Sequence, residues 1–177
     1  MSTIPRVSSA IAGEPAHFGS VLAHQPAIAA RFFELYGAFW GSDVLAARIK
    51  EVARMRNARV TECGFCRNVR FDKALGEGLV EEVVDDITDG YETSDKLTET
   101  EKAVLKFTDA LIHDPELLNG DARAALQRHL TPQQIAELGL GVSLFLALAK
   151  ALITMGLEPE QMDRTVLPTP AVLEAAE

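Results

Sequence analysis

The chain reads as an all-α protein, and three observations predict it. Apolar residues recur at helical spacing along most of the length. Two helix starts carry capping sequences. No segment alternates apolar with polar residues as a half-buried strand does, and no internal repeat stands out. With 177 residues, 47% of them apolar and 24% charged, one compact domain with a real core is expected.

Residues 1–15 are rich in Ser, Ala, Gly and Pro and are expected to form a flexible arm without regular structure. A single helical domain then spans 16–158. Residues 17–23 suit a short helix. Pro26 fits the first turn of the next, over 26–40, where Ile28, Phe32, Leu35, Tyr36 and Phe39 follow helical spacing. Gly41-Ser42-Asp43 ends it and is expected to cap a helix over 44–60. Gly76-Glu77-Gly78 breaks the chain before a helix over 79–87, with Val83, Val84 and Ile87 on one side, and Asp89-Gly90 reads as a turn. Thr98 with Glu101 has the form of a capping box, opening a helix that reaches about His113 and turns Val104, Leu105, Phe107, Thr108 and Leu111 inward. A short helix follows over 121–129.

Thr131 and Pro132 start the longest helix, over 132–155, with a cap and a proline at the first helical position. Its uninterrupted apolar or small run, 138–149, holds only 12 residues before Lys150. Crossing a bilayer takes about 20. A helix apolar all round is expected to be buried all round, at the centre of the bundle or against a partner subunit. Gly139, Gly141 and Ala147 would allow close helix approach. The tail, 159–177, carries three prolines.

The net charge of -9 argues against nucleic acid or an anionic membrane surface as partner. Basic residues crowd locally into 48–73. The start lacks the charged end and apolar core of a signal peptide, so a reducing cytoplasmic setting is expected.

The functional candidate is the stretch 50–75, which holds the only two cysteines, Cys63 and Cys66. Thr61 and Glu62 break the preceding helical pattern, giving a helix, a tight turn, and a second helix opening at the cysteine pair. On that second helix Cys63, Cys66 and Arg70 would share one stripe. If the two helices fold back antiparallel, Glu51 lies about 15 Å below the turn and Arg70 about 12 Å below it, so a Glu51–Arg70 ion pair beneath the dithiol is expected. Two cysteines three apart read as a redox pair or half a metal site. Zinc would need two more ligands, and His17, His24, His113 and His129 are scattered. As a redox pair, a cysteine at a helix N-terminus near Arg67 and Arg70 favours thiolate. The plain alternative is two small buried core residues.

Glu51, eleven residues, Cys63-x-x-Cys66, then three residues and a polar one resembles the signature of the carboxymuconolactone decarboxylase family in its alkylhydroperoxidase (AhpD-like) branch. The likeness runs from about Phe32 to Pro159. It implies an AhpD-like helical bundle with a CxxC helical hairpin and a long buried C-terminal helix, assembled as a homo-oligomer such as a trimer or hexamer. It also implies a dithiol that reduces hydroperoxides without a cofactor or metal. Cys66 would attack the peroxide to give a sulfenic acid, and Cys63 would resolve it to a disulfide. A lipoylated or thioredoxin-like protein would restore the dithiol. Glu51 would join a proton relay through a histidine four after the second cysteine. Members lacking the CxxC pair decarboxylate a lactone.

The chain departs from that pattern at two positions. Arg70 replaces the relay histidine, and Phe65 stands where a histidine is often found between the cysteines. Arginine is permanently protonated and cannot shuttle protons. Pairing with it would leave Glu51 a weaker base, so proton delivery is expected to be impaired or rerouted through water. Glu51–Arg70 also reads as a structural pair locking the hairpin. Other functions stay open: a non-catalytic or redox-sensing oligomer, or lactone decarboxylation in a pocket beside the hairpin. Tyr36, Trp40 and Tyr91 are pocket candidates that equally suit a core. Lys150 reads as a snorkelling or paired lysine, and His113 and His129 as surface or capping residues.

Overall fold

Helix α1 (Phe18–Leu22) and α2 (Pro26–Gly41) lead into α3 (Ala47–Val60), the helix around which the rest of the molecule packs. The computed structural model describes residues 3–171, so the expected tail beyond Ala171 lies outside the described residues. After α3 come α4 (Gly64–Asn68), strand β1 (Val69–Phe71), α5 (Asp72–Gly76) and α6 (Glu81–Val84). Then follow α7 (Glu99–Ile112), α8 (Gly120–His129), α9 (Pro132–Thr154) and strand β2 (Thr165–Leu167). Helix α3 lies between α7 and α9, and α8 packs on α7.

The main core gathers Val52 and Met55 of α3, Leu105 of α7, and Leu138 and Val142 of α9 with Leu79, Val84 and Ile87. A second cluster joins Phe39 and Trp40 of α2 to Val69, Phe71 and Phe145. Trp40 and Tyr91 are therefore core residues, as the plain reading of them held.

Both capping sequences work as read. Thr98 Oγ1 accepts from the Glu101 amide while the Glu101 carboxylate accepts from the Thr98 amide at 2.8 Å. Thr131 and Gln134 do the same for α9, with Pro132 at the first helical position. Each such cap is worth roughly 1 kcal/mol. The start of α3 differs from the expected one. Gly41-Ser42-Asp43 does not cap it; the helix begins at Ala47, and the Glu77 carboxylate accepts from the Ala47 and Arg48 amides at 3.3 and 2.7 Å. The cap comes from another part of the chain.

Helix α9 is long and apolar enough to cross a membrane by length and composition, yet it packs here against α3, α7 and α2. Within the single chain its burial is one-sided: Leu138, Val142, Phe145, Ala149 and Leu152 point inward, while Ala136, Leu140, Ser143, Ala147 and Lys150 form an exposed stripe. Gly141 lets α9 meet α2 closely, because a methyl group there would run into the Phe39 ring.

The second helix of the hairpin stops early. It was expected to run through Arg70 and Lys73, but α4 ends at Asn68 and the chain extends through Val69-Arg70-Phe71. These residues pair in parallel with the tail, Val69 with Thr165, Arg70 with Val166 and Phe71 with Leu167. A β-branched and an aromatic residue suit the strand, and the tail supplies the partner backbone. Asp72 pins the tail further, accepting from the Thr169 hydroxyl at 2.6 Å and its amide at 2.9 Å. Those bonds hold the Asp72 carboxyl below the usual carboxylate range. The arm is tied down too: the Arg6 amide and guanidinium donate to the carbonyls of Met155 and Thr154 at the end of α9.

Candidate active site

The turn between α3 and α4 presents the cysteines as read. Thr61 closes α3, Glu62 takes a left-handed conformation (φ 57°), and Cys63 is the N-cap of α4. Cys63 and Cys66 form a disulfide, their Cα atoms 5.2 Å apart. The Cys66 amide donates to Cys63 Sγ at 3.3 Å. The two sulfurs differ in access. Cys63 is fully buried against Ala149 and Leu152 of α9. Cys66 is half-buried and forms part of the wall of a cavity of about 300 Å³. That cavity is almost wholly apolar, lined by Phe32, Tyr36, Phe65, Phe71 and Phe145 from the bundle and by Leu167, Pro168 and Pro170 from the tail. Tyr36 is thus a pocket residue, and burial pushes the pKa of its phenol up.

Glu51 and Arg70 do not meet, which corrects the expected ion pair. Glu51 is buried and pairs with Arg54 one turn on: Arg54 Nη2 donates to Oε1 at 2.6 Å and Nε to Oε2 at 2.7 Å. Arg54 also donates to the carbonyls of Cys66 at 2.8 Å and Val69 at 2.6 Å, fixing the CxxC turn to α3. Burial works against its charge, but the Glu51 carboxylate more than offsets this and raises the guanidinium pKa above its ordinary value. Arg54, not Arg70, is the cation at the Cys66 cavity.

Arg70 faces the other way because it sits on a strand. Successive strand side chains alternate, so Val69 and Phe71 line the cavity and Arg70 between them points to its opposite side. There it donates to the Glu81 carboxylate at 2.8 and 3.1 Å and to the Arg67 carbonyl at 2.8 Å. Restoring a histidine at this position therefore builds no relay. Arg70→His is expected to leave peroxide turnover unimproved in a thiol-dependent assay while lowering stability by about 2 kcal/mol in urea unfolding, since one partner of a largely buried pair is lost. A clear gain in turnover would mean that Arg70 reaches the dithiol after all.

Two site residues escaped sequence reasoning. Arg54 had a signal, standing three residues after Glu51 on one helix face. Glu158 had none. It lies just past α9, is buried, and its Oε1 accepts from the Gly64 amide at 2.6 Å, at the first residue of α4. Among the described residues no group of three His, Cys, Asp or Glu converges to hold a metal ion.

The fold and this site together define a mainly helical protein of the AhpD-like fold with a CxxC pair. No family model and no curated protein matches the sequence. Among solved structures, the chain resembles a protein of unknown function from Agrobacterium tumefaciens whose suggested role is that of the antioxidant defence protein AhpD. The TM-score is 0.59 at 21% identity, over 75% of this chain and 88% of that one. It also resembles a cysteine-to-alanine variant of the debrominase Bmp8 in complex with 2,3,4-tribromopyrrole, with TM-score 0.64 at 18% identity, over 76% of this chain and 72% of that one.

Proposed function

We propose that the protein is a cytoplasmic thiol-dependent peroxidase that reduces apolar organic hydroperoxides. The observation that carries this is the asymmetry of the cysteine pair: Cys66 opens onto an apolar cavity, while Cys63 is sealed behind it within disulfide reach. The Cys66 thiolate attacks the hydroperoxide, the O–O bond breaks, and the alcohol leaves with a proton as Cys66 becomes a sulfenic acid. Cys63 sulfur then displaces hydroxide, which leaves as water, and the disulfide forms. A dithiol protein, lipoylated or thioredoxin-like, returns two electrons and two protons. The exposed stripe of α9 fits a homo-oligomer, in which a second copy would cover Leu140.

The cavity sets the substrate class. Burying an aromatic or alkyl tail among Phe32, Phe65 and Phe145 gives a bulky hydroperoxide binding free energy that hydrogen peroxide lacks. Cumene hydroperoxide is expected to show kcat/KM about tenfold or more above hydrogen peroxide, equivalent to about 1.4 kcal/mol, a fraction of one buried side chain's worth. Stopped-flow oxidation of the reduced protein measures this. Two free thiols that persist under both oxidants would overturn the peroxidase reading.

One observation favours a second reading. The aromatic lining around Cys66 also suits a planar halogenated ring, the kind of ligand bound to the debrominase of similar fold. A dithiol that becomes a disulfide supplies the two electrons and the one proton that replace bromine by hydrogen and release bromide, and its second proton passes to solvent. Bromide release from a brominated pyrrole, dependent on Cys66, distinguishes this reading from the first.

A further inference from the structure

The redox cycle asks something of Cys63 that the residues around Cys66 do not supply. Cys63 must lose a proton as it forms the disulfide and regain one when the disulfide opens, yet it is fully buried. Glu51 is engaged by Arg54, Arg70 faces away, and Phe65 carries no exchangeable proton.

We infer that Glu158 exchanges the Cys63 proton, and that it does so through a second cavity, separate from the one that takes the substrate. Glu158 Oε1 holds the amide of Gly64, the residue following Cys63, while its Oε2 is buried and accepts no hydrogen bond, leaving an open acceptor position beside the dithiol turn. Glu158 lines a cavity of about 420 Å³ together with Thr3, His17, Phe65 and Leu157. Leu157 also packs in the cluster around Cys63. Phe18, Phe65 and Leu152 line both cavities and so form the partition between them. Substrate and proton thus have separate routes. The half-exposed ring of His17, paired with Glu14, gives the second cavity a polar outlet. The other titratable group lining this cavity is His17, the N-cap of α1, and Arg6 of the arm sits on the last turn of α9.

This role rests on the dithiol reading above. In the forward step the Cys63–S–H bond breaks as its sulfur bonds to Cys66, the S–O bond of the sulfenic acid breaks, and hydroxide takes a proton from solvent to leave as water. The Cys63 proton passes to Glu158. In the return step a reductant thiolate attacks the accessible Cys66 sulfur, Cys63 leaves with the electron pair, and Glu158 returns the proton.

The test is the rate at which dithiothreitol reduces the Cys63–Cys66 disulfide between about pH 5 and 9, followed by alkylation and mass spectrometry. Glu158→Gln keeps an acceptor for the Gly64 amide but cannot exchange a proton. It is expected to slow reduction about a hundredfold at neutral pH and to change the shape of the pH profile, a loss at the low end for general acid–base catalysis. Equal rates with superimposable profiles overturn the inference. Should the variant not fold, the infrared difference spectrum of the wild-type protein between disulfide and dithiol states decides. A carboxyl that changes protonation with redox state supports the role, and its absence overturns it. A wild-type protein inert to hydroperoxides but showing the Glu158-dependent step with dithiothreitol would overturn the peroxidase reading alone and support this one.

Discussion

Cys66→Ser is expected to lose hydroperoxide turnover by at least about 1,000-fold, because it removes the nucleophile rather than a group that assists it. Cys63→Ser should behave differently. Its Cys66 remains open to the cavity and is expected to react once, accumulating a sulfenic acid that a dimedone-type reagent traps, with no disulfide and little further turnover. The proposed roles rest on access: the sulfur at the cavity wall would meet substrate, and the sealed one only its neighbour. Trapping in Cys66→Ser but not in Cys63→Ser would reverse the roles. Wild-type rates in both variants would make the pair bystanders.

Arg54→Ala is expected to be the most destabilising single change at the site. It leaves the Glu51 carboxylate buried without its cation, strips the Cys66 carbonyl of its Arg54 donor and takes one of two arginine donors from the Val69 carbonyl. Removing one partner of a buried ion pair costs about 3–5 kcal/mol. For a chain of this size that corresponds to a fall in Tm of roughly 10 °C. The double variant Arg54→Met with Glu51→Leu should recover much of the loss, since apolar residues of similar volume often replace a buried pair without penalty. Calorimetry of the reduced and oxidised forms measures both. A drop of only about 2 °C for Arg54→Ala would show that water reaches Glu51 and that the pair does not brace the CxxC turn.

What the sequence made legible was local. Helices α2, α7 and α9 declared themselves through apolar spacing, α7 also through its capping box and α9 through Thr131 and Pro132 at its start. The cysteine turn was equally legible, since Thr61 and Glu62 interrupt a strong helical pattern. Features made by distant segments were hidden. A three-residue strand is too short to show alternation, and β1 exists because the tail lies beside it. That strand inverted the Arg70 reading: helical spacing would set Arg70 beneath the cysteines, whereas the two-residue period of a strand turns it outward to Glu81. The Glu77 cap of α3 and the Glu158 bond to Gly64, 94 residues apart in sequence, are likewise products of packing.

The parallel pairing of β1 with β2 brings Leu167, Pro168 and Pro170 to the rim beside Cys66. Under the proposed function, the sulfur chemistry and this part of the cavity rim are therefore encoded in separate stretches of the chain. Exchanging a side chain on that rim is expected to retune the size of guest admitted while leaving both sulfurs in place.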